Sequence, residues 1–159
     1  ENVECWKVAL NLNAPCAFVC SRQGLNPLDE AKFGSVANGA YLIKESKNPQ
    51  ITLVASGSEV GLCREAANLL ENSDIGVNVV SAPCFDLLCE QESSYIKRIF
   101  APQTKVLAVE AATALEWYKF ANNVFGMSSF GASAPADELF KHFGFSATNI
   151  ANVAKEMLK

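Results

Sequence analysis

Histidine occurs once in these 159 residues, as His142. A triad built on imidazole therefore has one possible base, and nothing in the sequence points to its nucleophile. No C-x-x-C pair exists among Cys5, Cys16, Cys20, Cys63, Cys84 and Cys89, so the close spacing of zinc and dithiol redox sites is missing. No glycine loop ends in Gly-Lys-Ser or Gly-Lys-Thr, so there is no P-loop. No apolar run approaches the ~18–20 residues that cross a bilayer. Glu1 and Glu4 stand where the basic start of a secretory leader would be. Basic residues are few and scattered: 13 Lys and Arg against 17 Asp and Glu give a net charge of −4, which argues against nucleic-acid binding. Internal repeats and low-complexity segments are also lacking.

What is present is apolar. Half of the residues are hydrophobic, enough for a sizeable core in a chain of single-domain length. Most of the cysteines have apolar neighbours and read as small core residues, since a reactive thiol needs an electropositive setting. A reducing, intracellular compartment fits that usage.

The pattern along the chain alternates. Val3, Trp6, Ala9 and Leu10 recur at helical spacing, and Asn13-Ala14-Pro15 ends that helix. Cys16–Cys20 has no polar alternation and reads as a strand buried inside a parallel sheet. A polar stretch over about 22–38 reads as a linker. Strands are then expected at 40–43, 51–55, 77–81, 105–110 and 124–127. Helices are expected at 59–72, 86–100, 114–122, 136–142 and 147–159. Val60, Cys63, Ala67 and Leu70 fall on one helical face, with Ser58 as the expected N-cap. Strands alternating with helices of this length predict an α/β fold with a mostly parallel sheet.

Four places could carry chemistry. Ser56-Gly57-Ser58-Glu59 is a strand-to-helix turn, where ligands of parallel sheets bind, but the Glu59 carboxylate would compete with an anion there. Capping and ligand contact both remain open for it. Glu110 ends a strand and could be functional or could accept loop amides. His142 ends a helix, where its charge suits the negative helix terminus. Arg22 follows the expected strand 16–20 directly and should project from a carboxyl edge. Its guanidinium suits bidentate phosphate binding, with an ordinary salt bridge as the alternative.

Seven segments in order resemble one family: Ser21–Leu25, Gly39–Tyr41, Ala55–Val60, Val80–Pro83, Val109–Ala111, Phe130–Pro135 and Phe143–Ser146. They are similar to the C-terminal part of transketolases and cover nearly the whole chain. The resemblance implies a five-stranded, mostly parallel sheet with helices on both faces. It implies residues 1–24 as the tail of a pyrimidine-binding domain, 25–36 as linker and 37–159 as the C-terminal domain. The opening, which reads as entered partway through a helix, fits a longer protein. The resemblance also implies a cytoplasmic homodimer, or an organellar one if a precursor carries a targeting segment. Such an enzyme uses thiamine diphosphate and Mg²⁺ to pass a two-carbon ketol unit between sugar phosphates. Arg22 matches the family's sugar-phosphate arginine. No catalytic, cofactor-binding or metal-binding residue of the family has a counterpart here, so the chain alone is expected to be inactive. The alternative is an assembly or regulatory module of deoxyxylulose-phosphate synthase or of a 2-oxoacid dehydrogenase E1 component.

Overall fold

Strand Ile51–Ala55 (β2) is wholly apolar except for Thr52, and every residue in it is buried. Such a strand needs neighbours on both edges and cover on both faces. The computed structural model, which describes residues 1–27 and 31–159, supplies all four. Val77–Ser81 (β3) and Lys105–Glu110 (β4) pair with β2 in parallel on either side. Asn123–Gly126 (β5) extends the sheet beyond β4, also in parallel, and Tyr41–Lys44 (β1) closes the other side antiparallel to β3. The order across the five strands is β1-β3-β2-β4-β5.

Side-chain alternation splits the core into two layers. Leu53 and Ala55 of β2, with Val77, Val79, Leu107 and Val109, face one side. Helices Glu59–Glu71 (α2) and Ala147–Met157 (α6) cover it with Val60, Cys63, Leu70, Ile150 and Ala154. Val54, Val80, Val106 and Ala108 face the other side. There they meet Leu88 of helix Phe85–Cys89 (α3), Ile99 of helix Ser93–Ile99 (α4) and Trp117 of the 3-10 turn Leu115–Lys119. The short helix Ala136–His142 (α5) lies against the first layer through Phe140. The buried polar residues are paired: Thr52 and Thr104 share a 3.0 Å hydroxyl hydrogen bond, and Asn78 accepts from the Ser46 N–H at 2.9 Å. None of the helices among the described residues is long and apolar enough to cross a membrane.

Several expectations are corrected. The strand 16–20 does not form. The segment has no regular secondary structure and pairs with none of the five strands, and Val19 is fully exposed. An apolar strand is buried only when other strands flank it, and those come from 41–126, not from beside it. The segment is held instead by Phe18 stacking on Trp6 at 4.4 Å. Trp6 belongs to the first helix, Asn2–Asn11 (α1). There Cys5 and Val8 pack inward while Val3, Trp6 and Leu10 stay exposed, so the expected apolar face points outward. Of the six cysteines only Cys63 is buried; Cys16, Cys20 and Cys89 are exposed and Cys5 and Cys84 are half-buried. The helix expected over 86–100 is two short helices broken at 90–92, and 114–122 is the 3-10 turn. Residues 28–30 of the expected linker lie outside the described residues.

Packing demands glycine at position 39. Gly39 has φ +80°, and a Cβ there would collide with the backbone of Cys84 and Leu88. Gly61, in contrast, lies in the first turn of α2 with nothing near its Cβ position. Gly39→Ala is expected to cost more than about 3 kcal/mol. Gly61→Ala should gain about 0.5–1 kcal/mol. Urea unfolding of the two variants checks both signs.

Candidate functional site

Strand order locates the place where a ligand site would form. The α2 connection carries the chain from β2 to β3 on one side. The α3–α4 connection then carries it back across β2 to β4. The connections of β2 and β4 thus leave in opposite directions, and a crevice opens at their carboxyl ends. The parallel register aligns Ala55 with Val109, so the next residues, Ser56 and Glu110, stand side by side at that crevice.

They are bonded: Ser56 Oγ donates to Glu110 Oε2 at 2.9 Å, and Trp117 Nε1 donates to the same oxygen at 3.2 Å. Glu59, the first residue of α2, is 4% exposed. Its carboxylate accepts from Ser58 Oγ at 2.7 Å and faces the backbone N–H of Ala111. Burial pushes both carboxyls above the ordinary glutamate range. Their hydrogen bonds pull the other way, and the charge of Glu110 raises Glu59 further. Cys63, buried one helical turn on, is pushed up by the same loss of solvent and by Glu59.

Ser58 therefore does not act as the expected cap: it flanks the helix, but its hydroxyl serves Glu59 and makes no capping bond. Glu110 is engaged as an acceptor, but from a serine hydroxyl and an indole N–H and not from the loop amides expected. Glu59 was legible only as a helix-start charge. Its burial follows from the neighbouring β4 end, which no local pattern reveals. His142 ends α5, with its ring edge-on to Phe143 at 4.8 Å, and is remote from this cluster in role: it contributes no hydrogen bond there among the described residues.

A second carboxylate reaches the sheet from α1. Glu1 accepts from Tyr41 Oη at 2.8 Å and from Ser81 Oγ, fastening the helix start to the β1–β3 side. Burial and the Glu1 charge push the Tyr41 hydroxyl well above its ordinary range.

Arg22 is exposed and does not follow a strand. Its segment crosses the mouth of the crevice instead. A Cβ built on Gly57 would lie 3.7 Å from Ser21 Oγ, and Gln23 lines two adjoining grooves of about 580 and 930 Å³ whose walls include Gly57. Arg22 itself lines neither groove and makes no hydrogen bond or ion pair among the described residues. The structure does not bring Arg22 together with Glu59 or Glu110 by any bond. The donors on those carboxylates are hydroxyl, indole and amide hydrogens, and two negative side chains at one corner disfavour a diphosphate there. Among the described residues no three His, Cys, Asp or Glu side chains gather as metal ligands. The cluster does not fit a magnesium diphosphate.

An open, mostly parallel α/β sheet with a crevice at its switch point defines the class. Residues 39–146 match the family model described as the transketolase-like C-terminal domain, and the chain belongs to that family. Transketolase 1 of Aliivibrio fischeri is 40% identical over 99% of this chain, which spans 25% of that protein. The crystal structure of transketolase from Campylobacter jejuni superposes with a TM-score of 0.91 at 49% identity, over 96% of this chain and 24% of that one. A Pichia stipitis transketolase solved in complex with sedoheptulose 7-phosphate superposes at 0.75 with 30% identity, over 81% of this chain and 20% of that one. The chain thus spans about a quarter of the length of the curated relatives it matches. These relatives favour transketolase over the synthase and dehydrogenase alternatives.

The two raised carboxyls make stability depend on pH. In the window above the ordinary glutamate value of 4.5, the folded chain keeps protons that the unfolded chain has released. Stability therefore falls as pH rises through that window and is lowest on this account near neutrality. The urea midpoint is expected to rise as pH is lowered from about 7 toward about 5. Glu110→Gln, which keeps an acceptor without a charge, should flatten the rise.

Proposed function

We propose that this chain serves as the C-terminal quarter of a transketolase subunit. The complete enzyme passes a two-carbon ketol unit from a ketose phosphate to an aldose phosphate. The observation that carries the reading is end-to-end similarity: 99% of the chain aligns with a quarter of a transketolase. In that reading residues 1–24 belong to the pyrimidine-binding domain, 25–36 are linker and 37–159 form the C-terminal domain. The outward apolar stripe of α1 and the unpaired segment 16–20 support it, because both want a sheet and helices laid against them. The complete enzyme is proposed to be a cytoplasmic homodimer. Thiamine diphosphate, held with Mg²⁺ by residues outside this chain, supplies the electron sink for the ketol carbanion.

This chain's own contribution is to substrate binding. Arg22 is an exposed residue that makes no ion pair among the described residues. A planar fork of N–H donors matches two oxygens of a sugar phosphate and holds them by charge-assisted bonds. It orients the substrate without touching the carbon chemistry.

Two measurements test the reading. The purified 159-residue chain, given thiamine diphosphate, Mg²⁺, xylulose 5-phosphate and ribose 5-phosphate, should show no turnover. Sustained turnover would overturn the assignment of the cofactor site to other residues. In the complete enzyme, Arg22→Ala should raise KM for phosphorylated sugars by the equivalent of about 1.5–3 kcal/mol. Unphosphorylated substrates should be little affected. Equal effects on both classes would rule against the phosphate role.

A further inference from the structure

The Ser56–Glu59 turn is tied down more heavily than a helix start requires. Two carboxylates hold it: Glu110 accepts from Ser56 and Trp117, and Glu59 accepts from Ser58 and faces the Ala111 amide. Through them the end of β2, the start of α2, the end of β4 and the following 3-10 turn become one rigid unit. On the outer side of this unit lies the segment Ser21–Gly24. That segment has no regular secondary structure. Among the described residues, none of 13–27 takes part in the backbone hydrogen bonds of turns and loops. Its position therefore depends on what it rests against. Gly57 lies directly beneath Ser21, with a built Cβ at ordinary contact distance from Oγ. Ser21 and Gln23 share one groove with Ser56 and Gly57, and Gln23 and Gly24 share the next with Gly57 and Ser58.

We propose that the Glu59–Glu110 network is a positioning device that fixes the Ser56–Glu59 turn as the seat of segment Ser21–Gly24 and so sets where Arg22 presents its guanidinium. The functional half of this proposal rests on the reading of Arg22 as a sugar-phosphate contact. Glu59 and Glu110 are positioning residues, since neither is bonded to Arg22. The crevice that holds a ligand in many open α/β sheets is used here to carry a loop that meets the ligand elsewhere.

Trypsin cleavage after Arg22 in the 159-residue chain reads the seat directly, because cutting tracks how often the segment lifts away. Cleavage after Lys47, in a distant exposed turn, serves as the internal reference. Glu110→Ala should raise the Arg22-to-Lys47 cleavage ratio roughly tenfold, the effect of one lost charge-assisted hydrogen bond. Glu110→Gln, which keeps the acceptor, should restore the ratio to within about threefold. If Glu110→Ala fails to fold, Ser56→Ala removes one bond from the same network and should raise the ratio about threefold or more. A wild-type ratio in folded Glu110→Ala or Ser56→Ala overturns the proposal. In the complete enzyme the more stable of the two variants should raise KM for phosphorylated sugars about fivefold or more, with kcat within about twofold. A raised cleavage ratio with unchanged KM would uphold the seat and overturn the phosphate role of Arg22. An unchanged ratio would refute the seat whatever Arg22 does.

Discussion

The parallel alignment of β2 with β4 is the constraint from which the rest follows. Both strands are buried on both faces, so their register is fixed by apolar packing above and below and not by any polar contact. A slip of one residue would turn Leu53 and Leu107 out of one layer and into the other. With the register set, Ser56 must stand beside Glu110, and the start of α2 must bring Glu59 to the same corner. The polar cluster is thus a consequence of hydrophobic registration. Its hydrogen bonds offset the cost of burying two carboxylates but do not choose where the carboxylates lie.

That cost is unusual for a structural corner. A buried carboxylate is tolerated when donors surround it, and each of these two has donors from different elements. An apolar corner of the same shape would be as stable or more so. Retaining charge at this point makes sense where the geometry of the turn itself matters, because hydrogen bonds fix direction in a way that apolar contact does not.

Much of this was readable from local pattern. Strand 51–55 and helix 136–142 match their expected bounds, since their period and end signals agree. The buried face of α2 was legible in Val60, Cys63, Ala67 and Leu70 for the same reason. Segment 16–20 departs from its pattern because an apolar run reports only that burial is wanted, not that a partner is at hand. Val3, Trp6 and Leu10 show the same limit: helical spacing gave the face correctly but not the direction it points. Ser56 and Glu59 meet Glu110 and Ala111 only because β2 pairs with β4, a juxtaposition that no window of local sequence contains. Arg22 is legible in the sequence by position and chemistry. The structure adds Gly57 beneath the preceding residue, Ser21.

The two tryptophans stand in opposite surroundings. Trp117 is 2% exposed with its indole N–H on the Glu110 carboxylate, and Trp6 is half exposed on the outer stripe of α1, stacked on Phe18. A collisional quencher such as iodide would reach Trp6 and leave Trp117 dark to it. Emission from the chain therefore divides into a surface signal that reports when something covers α1 and a core signal that reports the state of the carboxylate corner. The molecule carries its own pair of optical probes, one for assembly and one for the integrity of the sheet edge.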